Sequence, residues 1–278
     1  TGSPLPKGAD AVAMQEDTQT DPQTTGQILF LDTVKLWENI RFRGEDVKAG
    51  SALVEAGTRL SAGHLCLLGA VGIGTARGFR QPIIGLLATG SELREAGQSM
   101  SPGQIFESNR IGLAARVKRS GAIPKNYPLV SDTLEATVSA LQKAFIECDA
   151  VVTTGGVSVG ELDFVKAAFA ELGGKLDFWK VSIKPGKPFV FGHHHGKFLF
   201  GLPGNPVSAL VTFILFVAPA LSRMQGAKNS SWPTHPAALA ESLENRGNRR
   251  HFMRISLDDK GQARSIGTQS SHILSGLS

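Results

Sequence analysis

From about residue 82 onward, the sequence alternates short apolar runs with helical patterns of about 10 to 15 residues, which is typical of βαβ units and a parallel sheet. PIIGLLA is the first apolar run, and DAVVTT follows a helical pattern as the second. A hairpin pattern in KPFVFGHHHGKFLFG and a buried helix after PGNPVS come later. This alternation predicts an α/β fold with a central, mostly parallel sheet and flanking helices.

The segments on either side of this pattern are rich in short strands and turns. The last segment contains RRHFMRISLDDKGQARSIG, which alternates like a β-hairpin around Asp259-Lys260-Gly261. We therefore predict three parts: a β-rich N-terminal part at residues 1–81, an α/β domain at 82–226 and a partial β-type C-terminal domain at 227–278.

Two of the expected helices have recognisable ends. Ser61 is a capping residue for a helix that ends near Gly72. Its predicted buried face consists of Leu65, Leu67 and Leu68. A second helix is expected at about 105–120, where Gly121 ends it. Its last turn contains the basic residues Arg116, Lys118 and Arg119, which complement the negative end of the helix dipole.

Composition argues against several classes of protein. The net charge of +5 is spread without a Lys/Arg block, so it does not indicate a nucleic-acid partner. The strongest membrane candidate, VSALVTFILFVAPAL, has about a dozen apolar residues before Pro219, fewer than the roughly 20 that span a bilayer. Cys66 and Cys148 lack the spacing of a zinc site and are expected to be buried thiols in a reducing compartment. These features predict a cytoplasmic protein without a membrane span. Because the chain lacks an initiator methionine, we expect it to be the middle of a larger protein.

Three predicted strands end in unusual residues: ATGSEL (88–93), TTGGVSVGELD (153–163) and GLPGNPVSA (201–209). Each places glycine and a hydroxyl residue ahead of a helix, where backbone N–H groups and the helix dipole favour an anion. None has the lysine of a Walker loop or the spacing of a dinucleotide fingerprint. Any one of them is also compatible with an ordinary turn. Together they favour an anion site at the carboxyl edge of the sheet.

The segment KVSIKPGKPF adds Lys180, Lys184 and Lys187. Lys180 and Lys184 share a face if residues 180–184 are extended, because alternate residues of a strand point the same way. They are then candidates for phosphate binding. The alternative is that they are solvated lysines on an edge strand.

Acidic residues lie close to these turns in the sequence. They are Glu92, Asp132, Glu161 and Asp163, with Asp46 in the earlier segment RFRGED. Carboxylates opposite a phosphate usually hold Mg²⁺ between them. Two alternatives stay open. Asp132 is also placed to cap a helix. Glu161 and Asp163 lie in the first turn of another predicted helix, where acidic residues complement the helix dipole. The histidines of GHHHG at 192–196 are expected to lie exposed at a hairpin tip and to bind no metal.

Seven segments, in order along nearly the whole chain, resemble the molybdopterin molybdenumtransferase family, called MoeA in bacteria and the E-domain of gephyrin in animals. They are TGSPLPKGADAVAMQEDT, RGEDVKAG, TGSEL, SNRIGLAA, TTGGVSVGELDFVK, WKVSIKPGKPF and GLPGNPVSALVTF. The resemblance implies a Mg²⁺-dependent reaction in which adenylylated molybdopterin and molybdate are converted to molybdenum cofactor with release of AMP.

The resemblance also implies roles for individual residues. The catalytic residues would be Asp46, Glu92, Asp132, Asp163, Lys180 and Lys184. Substrate would contact Thr1, Gly155, Gly156, Ser158, Pro203, Gly204, Asn205 and Ser208. Glu92 and Asp163 would hold Mg²⁺.

Family members are longer at both ends and form homodimers in which two subunits build each active site. This chain is therefore expected to be truncated, which leaves the activity of the fragment open. The molybdopterin adenylyltransferase is a candidate partner. Two alternative functions remain: an adenylyltransferase-like activity on molybdopterin, and a gephyrin-like scaffold without catalysis.

Overall fold

A computed structural model of the chain describes residues 2–20, 22–24, 26–157, 164–230 and 233–277. It separates into two compact units, which are described one at a time. The first comprises Thr1–Glu55 with Ala62–Val71, and the second comprises Ala56–Ser61 with Gly72–Ser278.

The strands in chain order are β1 (Thr18–Thr20), β2 (Ile28–Phe30), β3 (Ile83–Ala88), β4 (Leu93–Arg94), β5 (Ile105–Phe106), β6 (Ile123–Asn126), β7 (Ala150–Thr154), β8 (Lys175–Trp179), β9 (Ile183–Lys184), β10 (Val190–His194), β11 (Lys197–Leu202), β12 (Arg250–His251), β13 (Ile255–Leu257) and β14 (Ala263–Ser265). The helices are α1 (Ala62–Ala70), α2 (Asn109–Arg119), α3 (Leu134–Glu147), α4 (Phe164–Glu171), α5 (Pro206–Thr212) and α6 (Ala218–Met224). A π-helical segment at Phe213–Val217 joins α5 to α6, and short 3₁₀ turns lie at Gln15–Asp17 and Leu274–Leu277.

The second unit is built on a six-stranded sheet in the order β6-β3-β7-β11-β10-β8. β6, β3, β7 and β11 run parallel, while β10 is antiparallel to both of its neighbours. The predicted hairpin is therefore the β10–β11 pair. The expected α/β fold with a mostly parallel central sheet is confirmed.

Both faces of the sheet are covered, which explains why its central strands are apolar without alternation. Ile84 and Leu86 pack on one face with side chains of α2 and of the helix from α5 to α6. Leu87 and Val151 point to the other face, where α3 and α4 cover them. The two helical layers leave the carboxyl edge of the parallel strands as the place where loops gather.

The helix that runs from α5 through α6 is longer than the sequence pattern indicated. Pro206–Met224 is a 19-residue helix with a mean hydropathy of 1.8, and by length and composition it is, among the described residues, the one candidate for a membrane span. The expectation that this segment is too short was therefore wrong. Its Phe213, Val217 and Leu221 are fully buried in the core beneath the sheet, as in the core helix of a globular protein.

Several local expectations need correction. The 105–120 helix begins only at Asn109, because residues 105–106 pair with β4. α1 begins directly after Ser61 as expected, but none of its residues is buried and Leu65 is 58% exposed. The predicted buried face of α1 is therefore wrong. Cys148 is buried, whereas Cys66 is exposed.

β strands also occupy the ends of the chain. β1 and β2 form an antiparallel pair in the first unit. In the second unit, β13 and β14 form the predicted hairpin, in which Leu257 pairs with Ala263. β12 pairs in parallel with β9, so the tail is joined to the α/β part by backbone hydrogen bonds. The three-part division at residues 81 and 226 stays a prediction.

Candidate active site

The three glycine turns meet at one edge of the sheet. They follow β3, β7 and β11, which are adjacent and parallel, and Thr154 pairs with both Ala88 and Leu202 at the ends of the strands. Hydrogen bonding continues beyond the strands: the N–H of Thr89 donates to the carbonyl of Thr154 at 3.0 Å, and that of Gly155 to the carbonyl of Leu202 at 3.3 Å. The predicted convergence of the turns is confirmed.

The contact between the turns requires glycine. Gly155 and Gly156 have φ of +79° and +63°. A Cβ on Gly155 would lie 2.6 Å from the carbonyl oxygen of Thr89, and a Cβ on Gly156 would lie 2.9 Å from Oγ1 of Thr89. Gly204 lies against the same backbone, since its Cβ would be 3.7 Å from the Cα of Gly155. The edge therefore presents closely packed main chain, which suits the binding of an anion by backbone N–H groups.

Two buried hydroxyls accompany these turns. Oγ1 of Thr89 and Oγ1 of Thr153 are buried and have no hydrogen-bond partner among the residues that the structure describes. Buried hydroxyls normally have a partner, so both are candidates for a polar contact at this edge.

Asp132 lies in the loop after β6 and hydrogen-bonds to the turn after β3; it does not cap the helix α3 that follows it. Its Oδ2 accepts a hydrogen bond from the N–H of Ser91 at 2.8 Å, and Ser91 Oγ accepts one from the N–H of Asp132 at 3.3 Å. The cap of α3 is Thr133, whose Oγ1 accepts from the N–H of Ala136 at 3.2 Å. The alternative in which Asp132 caps this helix is wrong, because Thr133 has the extended backbone and the hydroxyl that a cap needs.

Glu92 belongs to the same turn. A Cβ on Gly90 would lie 2.9 Å from both carboxylate oxygens of Glu92, so the carboxylate folds back over Gly90. The residue is exposed, and its carboxylate accepts no hydrogen bond within the described ranges, whereas its backbone carbonyl accepts one from the N–H of Ile105 at 2.9 Å. Its oxygens are thus available to a cation or a substrate.

Some predicted site residues cannot be placed. Thr1, Ser158, Glu161 and Asp163 lie outside the described residues. Asp46 lies exposed in a turn of the first unit and is described only within that unit. Within the described ranges, no three His, Cys, Asp or Glu side chains cluster to hold a metal ion.

The two predicted site lysines do not share a strand face. β8 ends at Trp179, and Lys180 adopts a left-handed φ of +71°, so the chain turns there. The predicted common face was wrong, because a residue with positive φ breaks the alternation of a strand. The edge-strand alternative holds for Lys184, because both strands of the two-stranded β9–β12 sheet are edge strands, while Lys180 comes directly after the edge strand β8; both lysines are exposed. The Nζ of Lys180 lies 3.9 Å from the centroid of the Trp179 ring.

Lys184 instead faces a groove of about 590 Å³. The groove adjoins the third glycine turn, since Asn205 and Ser208 also line it. A second cavity of about 470 Å³ is lined by Lys180. Lys187 and Arg249 line both spaces and so connect them.

The groove is cationic. No carboxylate is among the described residues that line either space. Its walls are held together by specific contacts: a Cβ on Gly186 would lie 2.5 Å from Cγ2 of Thr212, which brings the KPGKP turn against α5. Such a groove favours an anionic ligand, since Arg and Lys bind phosphate and similar oxyanions.

Sequence reasoning missed the contribution of the C-terminal tail. Ser271 accepts hydrogen bonds from Asn205 Nδ2 (to Oγ, 3.2 Å) and from the N–H of Val207 (to the carbonyl, 3.1 Å). Arg249 arrives through the pairing of β12 with β9, in which His251 is opposite Lys184. The QSSH and RR segments carry suitable side chains, but only this long-range pairing places them in the groove.

His251 shows how positive this region is. Burial, followed by the charges of Lys184 and Arg249, lowers the pKa of His251 below its ordinary value. Both ring nitrogens are buried, with no hydrogen-bond partner in the described part of the chain. A neutral imidazole therefore lies beside the cations of the groove.

Three parts of the chain match known families. Residues 85–223 match the probable molybdopterin binding domain, residues 1–72 the MoeA N-terminal region (domains I and II) and residues 236–278 the MoeA C-terminal region (domain IV).

Individual relatives agree with these matches. The chain is 40% identical over 280 residues to molybdopterin molybdenumtransferase of Haemophilus influenzae, covering 99% of this chain and 69% of that protein. It is 38% identical over 228 residues to the Staphylococcus epidermidis protein of the same name, covering 82% of this chain and 54% of that protein. The crystal structure of the molybdopterin biosynthesis MoeA protein of Pyrococcus horikoshii is similar, with a TM-score of 0.77 and 34% identity over 100% of this chain and 67% of that one. The chain thus spans between about half and about two thirds of its relatives' length.

The matched ranges, the identities over nearly the whole chain and the shared fold lead to one conclusion: the chain belongs to the molybdopterin molybdenumtransferase (MoeA) family.

Proposed function

We propose that the protein to which this chain belongs inserts molybdate into adenylylated molybdopterin, releasing AMP, in the biosynthesis of molybdenum cofactor. The names of its relatives support this role. The observation that carries the proposal is the continuity between the three glycine turns and the cationic groove: Gly204 packs on Gly155, and the next residue, Asn205, lines the groove beside Lys184.

This continuity suits a substrate that carries several negative charges. The Gly155-Gly156 turn would receive one phosphate through the N–H of Gly156, together with Ser158. Pro203, Gly204, Asn205 and Ser208 would line the path toward the lysines. A ligand with a pyrophosphate bond would then lie with its charges between the turns and the groove.

The lysines would act by electrostatic stabilisation. Negative charge builds on the AMP phosphate as its bond to the pterin phosphate breaks, and fixed cations such as Lys180 and Lys184 stabilise that charge. Lys187 and Arg249 line the same spaces and would share this role. The groove would also attract molybdate, which is itself an oxyanion.

The carboxylates present at the rim fit Mg²⁺. Mg²⁺ is usually bound by one or two carboxylates together with water and substrate phosphates. Glu92 offers an exposed carboxylate without a hydrogen bond from a described residue, and Asp163 is the proposed second ligand. When bound, the ion would neutralise charge on the phosphates. Asp132 would hold the turn that carries Glu92, and Asp46 is the remaining proposed catalytic carboxylate.

The remaining proposals concern assembly. The family ranges at 1–72, 85–223 and 236–278 support a division into N-terminal, α/β and C-terminal parts near residues 81 and 226. We further propose a cytoplasmic homodimer in the full-length protein, with Thr1 and Asp46 among its site residues. The molybdopterin adenylyltransferase is the proposed partner that supplies the substrate.

The test is release of AMP from adenylylated molybdopterin by the full-length protein, with and without molybdate. We expect release that depends on both molybdate and Mg²⁺. The Lys184→Gln variant should lower the rate about tenfold or more, while the exposed Lys175→Gln serves as its control. AMP release that does not depend on molybdate, or no AMP release at all, would contradict the proposal.

Two other outcomes would redirect the assignment. Formation of adenylylated molybdopterin from molybdopterin, ATP and Mg²⁺ would identify an adenylyltransferase-like activity. Stoichiometric capture of a protein partner without retention of the pterin would identify a scaffold.

A further inference from the structure

A third cationic cavity lies away from the glycine turns. It has a volume of about 280 Å³, and its lining includes Arg59, Arg116, Arg119, Ser120 and Ser222. It shares no lining residue with the two spaces beside Lys184.

This cavity lies toward the far ends of the helices that start at the candidate site. Asn109, the first residue of α2, donates from Nδ2 to the carbonyl of Gly204 at 2.8 Å. Arg119 ends the same helix, about 15 Å along its axis at 1.5 Å per residue. The cavity therefore lies well apart from the proposed catalytic groove.

Three of the residues that line this cavity are arginines. No carboxylate is among the described lining residues, and neither Arg59 nor Arg119 forms an ion pair in the described part of the chain. Burial, and then the charge of Arg119, lowers the pKa of Arg116. Crowded guanidinium groups repel each other, so an anion between them would be stabilising.

The helix dipole explains only part of this arrangement. Basic residues in the last turn of α2, such as Arg116 and Arg119, are ordinary at a helix C-terminus. Arg59 is different, because it comes from a separate segment about 57 residues earlier in the sequence and has no place in that explanation.

Close backbone packing fixes the segment that carries Arg59. Gly57 has a φ of +84°, and a Cβ there would lie 2.7 Å from Cγ of Lys228 and 3.0 Å from the carbonyl oxygen of Gly226. The N–H of Lys228 points to the carbonyl of Gly57 at 3.5 Å. Arg59 is thus held two residues from a fixed contact with the chain that follows α6.

The two helix ends that form the other walls are also joined. Nε2 of Gln225 donates to the carbonyls of Ser120 and Leu221, each at 2.9 Å. Gly121 follows with a φ of +82°, a left-handed conformation that favours glycine, and a Cβ there would lie 2.6 Å from Oε1 of Gln225. The cavity between α2 and α6 is therefore built into the fold.

We propose that the cavity formed by Arg59, Arg116 and Arg119 is a phosphate-binding site separate from the proposed catalytic groove. Arginine is suited to this role because its planar guanidinium forms paired hydrogen bonds with phosphate oxygens. Ser120 and Ser222 line the same cavity and add hydroxyl groups that donate to oxyanions. The ligand is either free phosphate or the phosphate group of a small monoester.

The experiment titrates inorganic phosphate and, separately, AMP into the protein by calorimetry at constant ionic strength. The starting variant is Lys184→Gln with Lys187→Gln, which removes two cations of the groove. We expect this variant to keep a phosphate site at the arginine cavity besides any residual binding at the glycine turns, and we expect the affinity of that one site to fall about tenfold or more when Arg59→Gln and Arg119→Gln are added. The control pair, Arg77→Gln with Lys175→Gln, changes the net charge equally and should leave the affinity unchanged.

The two ligands distinguish the source of the phosphate. Binding of AMP that is lost with the arginine pair identifies a monoester, and binding of inorganic phosphate alone identifies the free ion. Arg119→Lys, which keeps the charge but not the paired donors, should weaken binding by a smaller factor. The same number of sites with the same affinities before and after the arginine substitutions, or no binding of either ligand, overturns the proposal. Because AMP release does not enter this measurement, its result is independent of the proposed reaction.

Discussion

Asp132 and Ser91 exchange two hydrogen bonds, one from the N–H of Ser91 to Oδ2 of Asp132 at 2.8 Å and one from the N–H of Asp132 to Oγ of Ser91 at 3.3 Å. This pair joins the loop after β6 to the turn after β3. The second of these carries Glu92, so Asp132 has a positioning role at the rim of the candidate site.

We expect two substitutions at Asp132 to separate position from charge. Asp132→Asn keeps an oxygen that accepts from Ser91, so thermal stability should be retained while AMP release falls about tenfold or more if the charge is used. Asp132→Ala removes the acceptor as well and should also cost about 1 kcal/mol of unfolding free energy. Thermal denaturation and AMP release of both variants check this. Full activity of Asp132→Asn would remove its charge from the mechanism.

Gly155→Ala tests the contact between the glycine turns. Gly173 provides a matched control, because it has the same φ of +79° but no atom within 4 Å of an added Cβ. Gly173→Ala should cost about 1 kcal/mol from backbone strain alone. Gly155→Ala should cost about 2 kcal/mol more, since its Cβ would lie 2.6 Å from the carbonyl oxygen of Thr89. Urea denaturation measures both, and equal losses would show that the turns do not pack as described.

Thr133→Ala tests the cap of α3. Loss of the hydroxyl that accepts from the N–H of Ala136 should lower the unfolding free energy by about 1 kcal/mol. Thr133→Ser keeps the hydroxyl and should be close to wild type. If Thr133→Ala unfolds at the same denaturant concentration as wild type, the cap contributes nothing.

His194 should make stability depend on pH. Its ring packs near Phe145 and Phe169, with centroid distances of 5.4 and 6.4 Å, which corrects the expectation that all three hairpin histidines are exposed. Burial, then the charge of His195, lowers its pKa in the folded state. The contribution of His194 to the free energy of unfolding is therefore complete above the unfolded pKa of about 6.5, and it is lost as the pH falls through the folded pKa.

The measurement is the urea midpoint of wild type and His194→Phe between pH 8 and pH 5. Wild type should lose more stability than the variant as the pH falls. His251 has a pKa shifted in the same direction and is present in both proteins, so the difference isolates His194. Parallel curves would show that His194 titrates normally.

The sequence predicted the parts of this structure that local patterns determine. Apolar runs ending in glycine identified β3, β7 and β11, and adjacent parallel strands necessarily bring their turns together. The sequence pattern could not distinguish Asp132 from Thr133 as the cap of α3, because both are good capping residues. The tertiary contact of Asp132 with Ser91 decides between them.

Other features depend on long-range structure. The left-handed backbone of Lys180 has no local signature, since lysine rarely adopts a positive φ. Arg249 and Ser271 enter the groove only through the pairing of β12 with β9 and the bond from Asn205. The exposed face of α1 was also unpredictable, because an apolar pattern does not reveal whether a partner element packs on it.

The most direct test of the proposed site is a crystal structure of the full-length protein with AMP and Mg²⁺. The account predicts the AMP phosphate within hydrogen-bond distance of the Gly156 N–H group or of Lys184, with Glu92 beside the cation. An AMP phosphate bound elsewhere, with the glycine turns and the Lys184 groove empty, would contradict it.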